Sequence, residues 1–107
     1  MMNKHVDYFE AIIQIRPYAE EVESWIEKQI KKRNDVTISK RLLVRGGLDL
    51  YISSQRFARS LGPKLKKVFK GEVKITKKLF SVNRMTSKRI YRATVLLRLK
   101  EKEPKND

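Results

Sequence analysis

The chain has 107 residues, of which 40% are hydrophobic, enough for one core and too few for two, and it has no cysteine, which excludes disulfides and thiolate metal sites. No apolar run nears the roughly 20 residues that a membrane-spanning helix needs, and Met1-Met2-Asn3-Lys4-His5 lacks the apolar stretch of a signal peptide. The formal charge of +14 is segregated: residues 56–100 hold fifteen Lys and Arg against Glu72 alone, whereas residues 1–55 carry nine basic and eight acidic side chains and residues 101–107 carry two and three.

In chain order, Tyr8 to Arg16 alternates as a half-buried strand does, with Phe9, Ala11, Ile13 and Ile15 inward and Tyr8, Ile12 and Gln14 outward. Pro17 stops it. Residues 18–33 place Ala19, Val22, Trp25 or Ile26, and Ile30 at helical spacing, with acids early and bases late, as the helix dipole favours. Asn34-Asp35 is a turn, Val36 to Arg45 a second strand, and Gly46-Gly47 a tight hairpin into a third strand, Leu48 to Ile52. Ser53 or Ser54 can cap a helix from Gln55 to about Lys70, with Phe57, Ala58, Leu61, Leu65, Val68 and Phe69 inward. Gly62-Pro63 predicts a kink or break in it, and Gly71 ends it. A fourth strand runs from Glu72 to about Phe80, and a polar loop, Ser81 to Ser87, leads to a fifth, Lys88 to Lys100. Residues 36–43 also match residues 73–80 at an offset of 37.

The order β-α-β-β-α-β-β predicts an α+β protein, a ferredoxin-like two-layer sandwich with a mainly antiparallel sheet and two helices on one face. Its fifth strand is expected to extend the edge beside the fourth. One domain is expected over 1–107, its core near 7–100 and 101–107 a flexible tail.

Alternation then converts the charge list into a surface. Lys74 and Lys78 of strand four and Lys88, Arg92 and Arg98 of strand five share the outer sheet face, and the hairpin end adds Lys77, Arg84 and Arg89. Arg56, Arg59, Lys64, Lys66 and Lys67 of the second helix lie close in sequence and are expected to support them. So concentrated a positive field attracts polyanions and holds them by displacing counterions, which points to RNA or DNA. A membrane surface fits less well, because the apolar stripe of the basic helix is needed for the core. The competing reading of the lysines is a solvated edge that prevents strand-to-strand pairing. Tyr8, Ile12, Leu43, Tyr51, Phe80, Ile90 and Leu96 are also assigned to the outer face, where they can stack on bases or meet a protein partner. Arg45-Gly46-Gly47-Leu48-Asp49-Leu50 does not match the aromatic third-strand pattern of an RNA recognition motif.

Enzyme signatures are missing from the sequence. His5 is the only histidine, Gly46-Gly47 lacks the rest of a phosphate loop, and Asp49 has no evident carboxylate partner. The expectation is a non-enzymatic, cytoplasmic protein with no cofactor, no metal site and no small-molecule substrate.

Three stretches resemble the central part of the nonsense-mediated mRNA decay protein 3 family, the export adaptors of the large ribosomal subunit in eukaryotes, with archaeal counterparts. They are Tyr8 to Arg16, Gly46 to Ala58, and Lys77 to Phe80 with Thr86 to Arg92, the most specific piece being Gly47-Leu48-Asp49-Leu50-Tyr51-Ile52-Ser53-Ser54. The resemblance implies binding at the subunit-joining side of the large ribosomal subunit, with ribosomal RNA and large-subunit proteins as partners. Family members usually begin with paired Cys-x-x-Cys zinc motifs, for which this sequence has no cysteines, and the C-terminal transport signals of eukaryotic members have no counterpart in it. The chain therefore reads as the middle module in an archaeal-type form, excised or naturally short.

Overall fold

The computed structural model describes residues 8–83 and 85–100. Seven elements follow in the expected order: β1 (Ala11–Arg16), α1 (Glu20–Lys31), β2 (Ile38–Val44), β3 (Gly47–Ile52), α2 (Gln55–Phe69), β4 (Glu72–Asn83) and β5 (Lys88–Arg98). The strands form one sheet in the order β2-β3-β1-β5-β4. Every neighbouring pair is antiparallel except β1 and β5, which run parallel from Ala11 opposite Ala93 to Arg16 opposite Arg98.

The α+β class holds, but the ferredoxin-like strand order is corrected. β5 does not extend the edge beyond β4; it inserts between β1 and β4 and makes the sheet mixed. The composition of the two strands explains the exchange. Ala93, Val95 and Leu97 of β5 are essentially buried and alternate with Thr94 and Leu96, which suits a strand flanked on both sides. β4 carries Glu72, Lys74, Lys77 and Lys78, and such charges keep an edge from pairing with other chains. The two similar segments, 36–43 and 73–80, thus contribute to the two opposite edges of the sheet.

Ala11, Ile13 and Ile15 of β1, Leu48, Leu50 and Ile52 of β3, and the three buried β5 residues project from one face into a single core. Val22, Ile26 and Ile30 of α1 and Phe57, Ala58, Leu61 and Leu65 of α2 close it. Each large apolar side chain removed from water contributes about 1.5–3 kcal/mol. Both helices cover this face and meet where the Trp25 and Phe69 rings stand edge to face, 5.9 Å between centroids. No described element covers the other side of the sheet, called here the open face.

Helix α2 is continuous through Pro63, so the break expected at Gly62-Pro63 does not occur. Pro63 faces solvent, while Gly62 faces the sheet, where a Cβ would lie 2.7 Å from Ile75 Cδ1. The helix is capped by Ser54, whose Oγ accepts from the Phe57 N–H at 3.1 Å; the Ser53 hydroxyl oxygen accepts instead from the Thr37 N–H. At the other end the left-handed residue is Lys70 rather than Gly71. The Arg16–Pro17 peptide bond is cis. Expectations for His5 and for residues 101–107 concern positions outside the described residues, among which no helix is long and apolar enough to cross a membrane.

Edge strand β2 is fastened to the helix layer through Glu23. This nearly buried carboxylate accepts from Arg41 Nε at 2.5 Å and Nη2 at 3.1 Å, and from the Tyr18 hydroxyl at 2.8 Å. The Arg41 hydrogen bonds hold the Glu23 carboxyl below its ordinary pKa, against the opposing effect of burial, and the Tyr18 bond lowers it further. A folded-state pKa below the unfolded one stabilises the fold above the ordinary carboxylate range, and that stabilisation is lost as pH falls through the folded value. Glu23→Gln is therefore expected to cost roughly 1 kcal/mol near neutral pH. It should also flatten the fall in stability between about pH 5 and pH 2. Urea midpoints across that range check both effects; parallel curves for the variant and the parent would remove Glu23 from the acid response.

Candidate nucleic-acid interface

The register decides which side chains share the open face. Cross-strand partners lie on the same side of a sheet, and Gln14 stands between Asp49 and Leu96, Ile12 between Tyr51 and Thr94, Lys74 opposite Leu96, and Lys78 opposite Arg92. Of the residues assigned to a partner face, Ile12, Tyr51 and Leu96 come together here, joined by Phe80, which is 54% exposed. Tyr8 lies at the entry to β1. Its hydroxyl donates to Glu10 Oε2, and burial followed by that bond pushes its pKa up to about 12.

Two bulges set the rest. Ser39 is extra in β2, so Lys40 pairs with Tyr51 on the open face, while Leu43 pairs with Leu48 on the helix side. Leu43 is therefore not an outer-face residue, although it is largely exposed. Phe80 is extra in β4, between Leu79 opposite Tyr91 and Ser81 opposite Ile90. The ring of Phe9, expected in the core, instead stands edge to face with Tyr51 at 4.8 Å. Alternation fails at Phe9 because β1 begins only at Ala11, after a bend at Glu10.

These shifts assemble a cation–aromatic row. Lys40 Nζ lies 5.6 Å from the Tyr51 ring centre, Tyr51 meets Phe9, and the Arg92 guanidinium sits between Phe9 at 3.9 Å and Phe80 at 3.6 Å. Arg92 Nε also donates to the Phe9 carbonyl at 3.2 Å, which fixes the plane of the stacked group. Neither Phe9 nor Lys40 was among the candidate site residues. The only sequence trace of Phe9's role is that it follows a second aromatic, Tyr8, at the strand entry.

The remaining basic residues divide between two regions. Beyond Ala93, β5 has no β1 partner, and the hairpin continues as a two-stranded ribbon to Asn83 and Lys88. Lys78, opposite Arg92, lies on its open face, and Lys74, opposite Leu96, lies on the same face within the full sheet, whereas Lys77 lies on the helix side, its Nζ 4.7 Å from the Tyr91 ring centre. Lys88 and Arg89 are exposed near the end of the ribbon, and Arg84 lies outside the described residues. Arg56, Lys64, Lys66 and Lys67 are exposed on α2, on the layer opposite the open face, and Arg59 Nε donates to Gln55 Oε1 at 2.9 Å. Lys74 and Lys78 thus lie on the face of the sheet opposite the α2 layer, while Lys77 lies on the same side as α2. Lys88 shares a cleft of about 690 Å³ with Arg56 and Arg33, which Glu10 and Asp35 also line.

The ion pairs among the described residues are Arg16–Asp49 at 2.7 Å, Arg33–Asp35 at 3.2 Å and Arg41–Glu23 at 2.5 Å. All three lie before residue 56, so among the described residues no cation of 56–100 is in an ion pair. Among the described residues, no cluster of three or more His, Asp or Glu is placed to hold a metal ion. Phosphate and base contacts call for positive charge beside an accessible ring, and here the cations border a row in which Phe80 is exposed and Phe9 and Tyr51 are half-buried. A protein-family model described as the second domain of NMD3 matches residues 8–99. No curated protein matches the chain.

Proposed function

The chain belongs to the NMD3 family through its second domain, and from that premise we propose that it is a non-enzymatic RNA- and ribosome-binding module. It acts in large ribosomal subunit biogenesis or in control of subunit joining, in the cytoplasm, with ribosomal RNA and large-subunit proteins as partners. The observation that carries this reading is that the cations of residues 56–100, none of them in an ion pair among the described residues, include Lys74 and Lys78 on the open face and Lys88 and Arg89 near the end of the ribbon. These residues and Lys77 contact phosphates, with Arg56, Lys64, Lys66 and Lys67 engaging further backbone from the opposite layer. Arg92 is a less free phosphate ligand, since its guanidinium is held between two rings.

Phosphate contacts from these nine residues would make the affinity for large-subunit RNA fall by about four to five orders of magnitude between 50 and 200 mM salt. Co-sedimentation with purified large subunits across that range measures the slope, and crosslinking in a cell extract locates the contact. The reading expects crosslinks concentrated at one stretch of ribosomal RNA on the subunit-joining side. Salt-independent sedimentation, or crosslinks scattered over both subunits, would overturn it.

A further inference from the structure

The row on the open face is more than a packing detail. Lys40, Tyr51, Phe9, Arg92 and Phe80 come from β2, β3, the entry to β1, β5 and β4, so the row crosses the full width of the sheet. A protein that needed only to shield its sheet would bury these rings, yet Phe80 is 54% exposed with the Arg92 guanidinium 3.6 Å from its ring centre. The residue is thus largely open to solvent, and the guanidinium stacked on it is in turn hydrogen-bonded to the Phe9 carbonyl. Phosphate-binding charge borders the row, with Lys78 directly across from Arg92 and Lys74 further along the same edge. Asp49, the carboxylate on the neighbouring part of this face, is neutralised by Arg16.

We propose that this row is a stacking platform for unpaired RNA bases, with Phe80 taking a base and Lys74 and Lys78 following the backbone along the β4 edge. The proposal rests on the RNA-binding reading and adds the kind of RNA: single strands, loops or splayed-out nucleotides, whose bases offer a π-face, rather than intact duplex. Charge complementarity favours such a polyanion over an apolar protein surface, because a dry protein interface would have to desolvate Lys40, Lys74 and Lys78. The row departs from the aromatic third-strand pattern of an RNA recognition motif: of its three rings only Tyr51 lies on β3, while Phe9 stands at the entry to β1 and Phe80 in the β4 bulge.

The test uses the full chain with a 12-nucleotide oligouridine and a 12-base-pair RNA duplex, and the variant Phe80→Ala, whose melting curve is compared with the parent's. The expected result is a loss of about 5- to 100-fold in affinity for the single strand, with an unchanged salt slope and unchanged duplex affinity. A second variant, Phe80→Trp in a Trp25→Phe background, should lose indole fluorescence on adding oligouridine. Equal losses on both RNAs, or no loss and no quenching, would overturn the platform while leaving phosphate binding intact. Loss of a large-subunit protein with RNA affinity unchanged would also overturn it and assign the row to a protein partner. If the parent bound neither RNA at low salt, the underlying RNA reading itself would fall.

Discussion

The variant carrying Lys74→Gln, Lys78→Gln, Lys88→Gln and Arg89→Gln is expected to bind large-subunit RNA about a thousandfold more weakly than the parent at about 0.15 M salt. Each lost phosphate contact removes about 0.9 from the slope of log affinity against log salt, so the four together flatten it by about 3.6. All four residues are exposed and none is in an ion pair among the described residues, so the substitutions should leave the fold unharmed. A melting temperature within a few degrees of the parent's is the control. Neutralising Lys64, Lys66 and Lys67 on the opposite layer tests whether the sheet truly divides the charge. If the hairpin and helix bind separate backbone segments, the two sets lower affinity independently and their effects add. Unchanged affinity and slope in the hairpin variant would rule out the ribbon as the site.

Gly47→Ala is expected to destabilise the fold by about 3 kcal/mol or more, while Gly46→Ala costs about 1–2 kcal/mol. The two glycines look equivalent in sequence and are not. Gly46 takes φ 89° in the turn between β2 and β3, and a Cβ there would touch nothing within 4 Å. Gly47 is buried, and a Cβ would stand 2.0 Å from the Ile15 carbonyl oxygen and 2.8 Å from Arg16 Cδ and Nη1. The space it leaves is occupied by the Arg16 side chain, which crosses to donate to the Leu48 carbonyl at 3.2 Å and to Asp49 Oδ1 at 2.7 Å. An added methyl must displace that side chain, and displacement would leave Asp49, 8% exposed, without its counter-charge. Thermal melts should show a drop of roughly 15 °C for Gly47→Ala. Equal melting temperatures for the two variants would mean that Arg16 can reach Asp49 by another route.

Asp49 shows how far the sequence could be read. It has no evident carboxylate partner, and its true partner is a cation 33 residues away that only the β1–β3 pairing brings near. The apolar alternation of β1 and β5 and the helical spacing of α1 and α2 were legible because solvent exclusion on one face leaves a periodic trace along the chain. Strand order was not. Element order alone allows β5 on either side of β4, and the choice turned on which strand could tolerate two neighbours. Phe9 and Lys40 escaped for a related reason: a bend or a one-residue bulge reverses which way a side chain points, and neither leaves a reliable mark in composition.

By itself, then, the sequence determined the seven elements, most of the core, the resemblance to a ribosome-associated family and the confinement of the net charge to residues 56–100, because these depend on local periodicity and residue count. Only the tertiary structure decided which charges share a surface. Placing β5 between β1 and β4 puts Arg92 within reach of Phe9, sends Lys74 and Lys78 to a free edge, and leaves Lys64, Lys66 and Lys67 on the opposite layer. Charge in a sequence has one dimension and charge on a sheet has two faces, so the division of this basic half-chain follows from pairing register, which is set by contacts between segments far apart in the chain.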